Sequence, residues 1–418
     1  MPTPVTFDLF SRILAGGFDE HTKVFTPTAG QSMFGRTDNG SYTVFSPNSN
    51  DLDIEIIRAN LKIAPLMPRG GVGRFIGSSA GTAGSTATQH NAIQFNQGTT
   101  FARKYPFLEE EANLGADQLL YRLIAYEGPY ADLTMQDRIR ILGRRAYTEL
   151  IRRCIRTFEY LAWQSLILGK QSANAIGTPG AGDYDWRRSA ANTISPSHQW
   201  GNSGGTPLAD LDTGCDQLNF QGKVMPEFAI FGGTCMQQFQ TNPTVTTAYA
   251  NKLYFELLRF ELDERPEQRF QRFVNAGLIP YGRLKTPKGY ELTIFTYPHM
   301  YDSANINGTY TAAKFFPDTY VLLGSTMARA DRYYGPPERL ELTAMEMQMV
   351  MERFGFNPSV PLTPPNVWGE GTVLPQMFYA DYYQSNDRKH GTMRVQAAPV
   401  FPTTMTDAWV TILAGGTA

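Results

Sequence analysis

"TMQDRIRILGRRAYTELIRRCIRTFEYLAWQSLIL", residues 134–168, is the longest regular stretch of the chain, and its reading decides the fold. Ile139, Leu142, Ala146, Leu150, Cys154, Phe158 and Leu161 recur at spacings of three and four, the period of one apolar helix face. Thr134 can cap the start, with Asp137 three residues on, and Gly169 can end it. At ~1.5 Å per residue such a helix spans roughly 52 Å, more than the thickness of one compact domain. It is expected to act as a spine linking regions. Its other faces carry Arg138, Arg140, Arg144, Arg145, Arg152, Arg153 and Arg156. A solvated face partly paired with Asp137, Glu149 and Glu159 is the plain reading, and contact with phosphate or a neighbour's carboxylates is the alternative.

On the N-terminal side of this helix lies "PRGGVGRFIGSSAGTAGSTATQHN", residues 68–91, where 15 of the 22 residues from Arg69 to His90 are Gly, Ser, Thr or Ala. Such a run can be a phosphate cradle, a linker, or an arm that orders only against another molecule. Before it, "DLDIEIIRANLKI", from Asp51, alternates acidic and apolar residues, with Leu52, Ile54 and Ile56 against Asp51, Asp53 and Glu55, the period of a strand with one wet face. After it, "TTFARKYPFLEEEANLGADQLLYRLIAY" is again extended, so the two flanks are expected to pair as a finger with the Gly-rich run at its tip. Residues 1–50 mix Pro, Gly, Asn and Thr with short apolar patches and read as an arm with little core of its own.

On the C-terminal side, residues 171–206 suggest a loose hairpin anchored by Trp186 and Trp200. "PEFAIFGG" reads as a buried strand followed by a short helix capped by Thr234, and a second helix is expected over 245–262. "LIPYGRLKTPKGYELTIFTYP" predicts two strands around a Pro-Lys-Gly turn, and the "NING" and "FPDTYVLLG" segments continue the turn-and-strand rhythm. "MEMQMVME", from Met345, is read as a strand, and the closing "MRVQAAPVFPTTMTDAWVTILAG" as two short strands interrupted by proline. The pattern as a whole is α+β.

Composition narrows the function classes. In 418 residues, 42% are hydrophobic, 12% aromatic and 18% charged, and 37 basic against 39 acidic residues leave a net charge of −2. That balance is not the footprint of a nucleic-acid reader. Cys154, Cys215 and Cys235 form no CxxC pair and read as reduced thiols, with Cys154 buried in the helix. "MPTPVTFDLF" lacks the basic and apolar regions of a secretion signal, and no stretch approaches the ~18 apolar residues of a membrane span, so no membrane association is expected.

Fragments that invite an enzymatic reading fail on context. "GNSGG" at 201–205 resembles the nucleophile loop of chymotrypsin-like proteases, but Asn202 replaces the acid and His198 is only three residues away. A turn is the expectation. "GGVGRFIG" has the spacing GxGxxxG and lacks a following helix pattern, and no GxxxxGK[ST] occurs. His21, His90, His198, His299 and His390 are scattered, so nothing favours a metal site. Glu109, Glu110 and Glu111 form an acidic run, read as a solvated or salt-bridged face, with a divalent-ion site as the sharper alternative. No catalytic, cofactor-binding or metal-binding residue is expected, and no cofactor.

One long segment adds a specific signal. "YELTIFTYPHMYDSANINGTYTAAKFFPDTYVLLGSTMARADRYYGPPER", residues 290–339, resembles the lambda-type major capsid proteins of tailed bacteriophages, the capsid protein E family. The matching features are Pro317-Asp318, Val321 to Gly324, Arg329 and Tyr334-Gly335. The closing "VQAAPVFPTTMTDAWVTILA" is similar to the family's last hairpin, through Gln396, Ala398, Pro399, Val410 and Ile412. "DYDWRRSAANTISPSHQWGNSGGTPLADLD" is similar to the region after the family's long helix, through Asp185, Arg187 or Arg188, Trp200, Pro207, Asp210 and Asp212.

This resemblance implies an HK97-like fold. Residues 1–55 would be an N-terminal arm and 56–125 the E-loop finger with its flanking strands. Residues 126–212 would be the peripheral domain with spine helix (134–168) and hairpin, 213–338 the axial domain, and 339–418 the return to the peripheral domain with the C-terminal strands. The implied function is that of a major capsid protein, forming pentamers and hexamers of an icosahedral shell around double-stranded DNA without sequence-specific binding. The Gly-rich run then becomes the finger tip, lying on an adjoining subunit. Arg69, Arg74, Arg103 and Lys104 are the candidate partners of a neighbour's Glu109, Glu110 and Glu111, while Arg138, Arg145, Arg152 and Arg156 are candidates for a basic inner face. Scaffolding, portal and decoration proteins are the further partners implied, with assembly in the host cytoplasm and final residence in the virion. An encapsulin-type compartment shares the fold, and a soluble α+β hydrolase is the rival from another class.

Overall fold

The spine helix is present as Met135–Leu168 and is sealed at its C-terminal end by both backbone and side chain. Gly169 adopts φ +64°, the left-handed conformation that glycine takes without steric cost, and its N–H donates to the Ser165 carbonyl at 3.0 Å. The last carbonyls are then met by Arg188, whose guanidinium donates to Leu166 O and Ile167 O, each at 2.9 Å, and to Thr411 Oγ1 at 2.7 Å. Burial pushes the Arg188 pKa down to about 10, with Asp407 opposing the shift. The helix end is thereby stapled to a strand more than 240 residues away in sequence.

The computed structural model describes residues 29–34, 43–45, 51–56, 99–104, 108–115, 135–172, 183–250, 255–256, 273–304, 310–335, 379–384 and 390–415. The Gly-rich run with Arg69 and Arg74, Thr134 at the expected helix cap, the "NING" turn and the "MEMQMVME" segment lie outside these residues.

A seven-stranded mixed sheet forms the centre, in the order Thr193–Ile194, Val410–Ile412, Val321–Gly324, Phe228–Phe231, Glu291–Thr296, Ile279–Lys285, Phe255–Glu256. Its middle strands, "FAIF" and "VLLG", are buried on both faces, which is why they read as continuous apolar runs. The period of two divides them between two cores. Phe228, Ile230 and Leu322 pack with Cys154, Phe158 and Trp163 of the spine helix. Ala229, Phe231, Val321 and Leu323 pack with Leu211, Cys215 and Phe239 from the helices Pro207–Gln217 and Gly233–Thr241.

Ile279–Lys285 and Glu291–Thr296 pair antiparallel around the Pro-Lys-Gly turn, as the sequence leads one to expect. Lys170–Ser172 and Asp183–Asp185 form the hairpin after the helix, and Trp186 and Trp200 are fully buried. Met300–Ala304 and Tyr310–Lys314 pair antiparallel. Two three-stranded sheets accompany these among the described residues. Leu108–Gly115 pairs with His390–Ala397, which also pairs with Tyr379–Gln384. Thr43–Phe45 pairs parallel with Arg332–Tyr334, which also pairs with Pro399–Val400.

Two expectations are corrected. The helix placed at 245–262 is Pro243–Ala250, and within the remainder Phe255–Glu256 is a strand opposite Leu284 and Arg283. Pairing at the sheet edge overrides the local helical preference there. Thr234 does not cap the helix after "FAIF": Gly232 holds the cap position, and Gly233 N–H donates to Asp318 Oδ1 at 3.1 Å. The next helix is capped instead by Asn242, whose Oδ1 accepts from Thr244 N–H at 3.0 Å.

Candidate assembly elements

The finger is described at its base. Asp51–Ile56 and Thr99–Lys104 pair antiparallel, as expected from their alternation, and no further described strand joins this ribbon. Its register sets Leu52, Ile54 and Ile56 opposite Arg103, Phe101 and Thr99, and Asp51, Asp53 and Glu55 opposite Lys104, Ala102 and Thr100. Residues directly opposite share a face, so the ribbon has one mainly apolar face and one acidic one. Arg103 falls on the apolar face and Lys104 on the acidic face, across from Asp51.

The acidic run is split in the same way. Glu109, Glu110 and Glu111 lie in the strand Leu108–Gly115, opposite Gln396, Val395 and Arg394 of the same chain. Leu108 and Ala112 pack against the main core, which puts Glu110 on the core-side register and Glu109 and Glu111 on the other. Glu111 is exposed.

On the spine helix, Arg152, Arg153 and Arg156 are exposed. Arg153 and Arg156 each approach Glu149 Oε1, at 3.7 and 3.6 Å. The side chains of Arg138 and Arg145 lie outside the described set. Glu159, expected to pair with these arginines, faces the other way. At 1% exposure it accepts N–H bonds from Gly30 (Oε1, 2.8 Å), Gln31 (Oε2, 3.2 Å) and Trp163 Nε1 (Oε1, 2.7 Å). It thereby fastens part of the N-terminal arm to the helix. Sequence reading missed this role, although an acid at 159, one turn from Ile155 and one from Trp163, interrupts an apolar stripe and carried the signal.

Exposed apolar side chains also occur in the loops and turns around the central sheet. Phe220, Met225 and Met327 are each 60–67% exposed, and Lys223 Nζ sits 4.6 Å from the centre of the Phe220 ring. Met225 and Met327 flank a tie in which Glu227 Oε2 accepts from Thr326 N–H at 2.6 Å and from Ser325 Oγ at 3.2 Å. None of these residues stands out from the sequence, because single apolar residues in turns have no periodicity to mark them.

Of the fragments weighed as chemistry, "GGVGRFIG" lies outside the described residues and "GNSGG" within them. Residues 201–205 form successive turns, with Asn202 N–H donating to Gln199 O and Gly205 N–H to Asn202 O. Burial pushes the Cys215 thiol well up, and the Cys235 thiol to about 12, so both stay protonated near neutral pH. Among the described residues no group of histidine, cysteine and carboxylate side chains is arranged to hold a metal ion, and no helix is long and apolar enough to cross a membrane.

The described residues thus hold a two-stranded ribbon, a long spine helix, a central mixed sheet and an N-terminal segment fastened to that helix. The family model for phage major capsid protein E matches residues 47–371, and the chain belongs to that family. No curated protein matches the sequence. Among solved structures, the chain is similar to a protein assigned as the capsid protein of an Escherichia coli CFT073 prophage, at 17% identity over 77% of this chain and 80% of that one, with a TM-score of 0.49. It is similar to a phage-related protein of Bordetella bronchiseptica RB50 at 12% identity over 99% and 98%, TM-score 0.43. It also resembles the SrpI encapsulin of Synechococcus elongatus PCC 7942 at 10% identity over 76% of each chain, TM-score 0.36. The assignment rests on the family match: this is a major capsid protein of a tailed bacteriophage, a structural component of the virion.

Proposed function

We propose that the chain's work is non-covalent self-assembly, in which pentamers and hexamers close into an icosahedral shell around double-stranded DNA. The observation that carries this reading is the finger ribbon. Two strands with one apolar face are marginal in water, and stability requires a third strand or a packed partner. An adjoining copy supplies that partner through the apolar face, with Leu52, Ile54, Ile56 and Phe101 as the contact and Arg103 at its margin. Arg69, Arg74 and Lys104 are proposed as further contacts, with Glu109 and Glu111 as the outward members of the acidic run. The exposed side chains of Phe220, Met225 and Met327 are the proposed axial contact.

Each exposed ion pair contributes only about 0.2–1 kcal/mol, so repetition around the lattice has to supply the cohesion. The exposed spine arginines Arg152 and Arg156, with Arg138 and Arg145, are proposed to face the enclosed DNA. A net charge of −2 keeps that contact weak and independent of sequence. No catalytic step is assigned to the chain. Scaffolding, portal and decoration proteins are proposed as partners, and the host cytoplasm as the place of assembly.

Size-exclusion chromatography with negative-stain microscopy tests the reading. Capsomers or closed particles are expected. A dispersed small oligomer under all conditions would overturn the shell in favour of an α+β enzyme. Closed particles that co-purify with a protein cargo would instead point to an encapsulin-type compartment.

A further inference from the structure

Among the described residues, the segment Gly30–Phe34 is held by the spine helix, Arg332 and Phe401. Glu159 takes the Gly30 and Gln31 amides, Gln31 Nε2 donates to Ile155 O at 3.1 Å, and Arg332 donates to Gln31 O at 2.9 Å and to Phe34 O at 2.7 Å. Met33 and Phe34 are buried, and the Phe34 ring meets Phe401 edge-on with centroids 5.4 Å apart. Gly30 is fitted to the site: a Cβ there would lie 3.0 Å from Trp163 and 3.2 Å from Glu159 Oε1. Met33 and Phe34 belong to the core on the spine-helix side of the sheet and make no part of the second core around Leu211, Cys215 and Phe239.

Chain order then connects this segment to the finger. Thr43–Phe45 pairs with Arg332–Tyr334, the strand whose arginine also grips the segment, and five residues separate Phe45 from the first finger strand at Asp51. At ~3.6 Å per residue, the finger's root cannot lie more than roughly 22 Å from Phe45. Its other root is tethered more tightly, with three residues between Lys104 and the Leu108–Gly115 strand.

We propose that Gly30–Phe34 is a strap whose docking on Glu159 is separable from the folding of the axial core, and that the docked strap fixes the root of the finger so that only the strapped subunit joins other copies. Releasing the strap frees the Thr43–Phe45 strand and with it one of the finger's two tethers. The second half of the proposal rests on the shell-forming reading above; the first half does not.

The test uses the full chain and two variants, Glu159→Ala, which removes the clasp, and Gly30→Val, which blocks entry from the strap's side and leaves the site intact. Hydrogen exchange read by mass spectrometry on free subunits should show the 31–34 amides exchanging on the order of tenfold or more faster in both variants. The strands Phe228–Phe231 and Val321–Gly324 should keep their wild-type protection, and microscopy should show no shells. Unchanged exchange at 31–34 overturns the clasp. Loss of protection in the central sheet of both variants overturns separability. Regular shells from a variant with an exposed strap overturn the link to the finger. Absence of shells from wild type as well would count against the shell reading, while the exchange result still decides the strap.

Discussion

Cys215 and Cys235 lie at 0% exposure between the central sheet and the helices that cover it. Desolvation raises both thiol pKa values, so the reactive thiolate is scarce until the surrounding packing opens. Both should therefore resist alkylation at pH 8 in the folded chain and react within minutes in 6 M guanidinium, on the order of the denaturant needed to unfold a very stable domain. Rapid labelling of either under native conditions, mapped by mass spectrometry, would contradict the packing. At this scale the sequence was legible where the side chain is apolar. Cys154, Trp186 and Trp200 are buried as their settings in apolar or anchor positions lead one to expect. Glu159 was misassigned because Arg156 stands three residues before it on the helix, whereas its partners include the Trp163 ring and backbone amides 128 and 129 residues away.

Among the elements, the finger ribbon makes the sharpest distinction between its own residues. Lys104 stands across from Asp51 within the ribbon, while Arg103 stands across from Leu52 on the other face. Arg103→Glu should therefore impair joining between copies and leave the free subunit's thermal stability within about 0.5 kcal/mol. Lys104→Glu sets like charges opposite each other and should cost the ribbon itself roughly 0.2–1 kcal/mol before assembly begins. The double substitution should block shell formation, as sedimentation would show, and normal shells from it would remove both residues from the contact.

Elements with one strong period were readable: the spine helix and the Pro-Lys-Gly hairpin fall within a residue or two of their expected bounds, and the extended flanks of the Gly-rich run pair with each other. Phe255–Glu256 was not readable, because only its partner across the sheet edge makes it a strand. The acidic run at 109–111 was visible as charge, but its division between two faces depends on a strand 280 residues later.

For the whole molecule, the consequence of a sheet shared by two cores is coupling. Leu322 points to the spine-helix core and Leu323 to the other, and both are fully buried. Alanine at either position should cost about 2–5 kcal/mol, measured by urea denaturation. Each should also raise hydrogen exchange on both faces of the sheet, since the strand that loses its packing is common to both. A loss confined to one face would show that the two cores open independently. The α+β class could be read from the chain, because turn signals and apolar runs are local. The sheet order could not be read, because neighbouring strands come from residues 193, 228, 291, 321 and 410.

That order has a bearing on synthesis. The strand Val410–Ile412 lies between Thr193–Ile194 and Val321–Gly324, and Thr411 helps Arg188 close the spine helix. A nascent chain that has reached residue 400 already carries its finger strands and its long helix, yet its middle layer still has a vacant lane. Until the ribosome delivers that lane, the sheet of the unfinished polypeptide lacks one of its interior strands, so chains ended before Val410 should be absent from particles formed alongside the full chain.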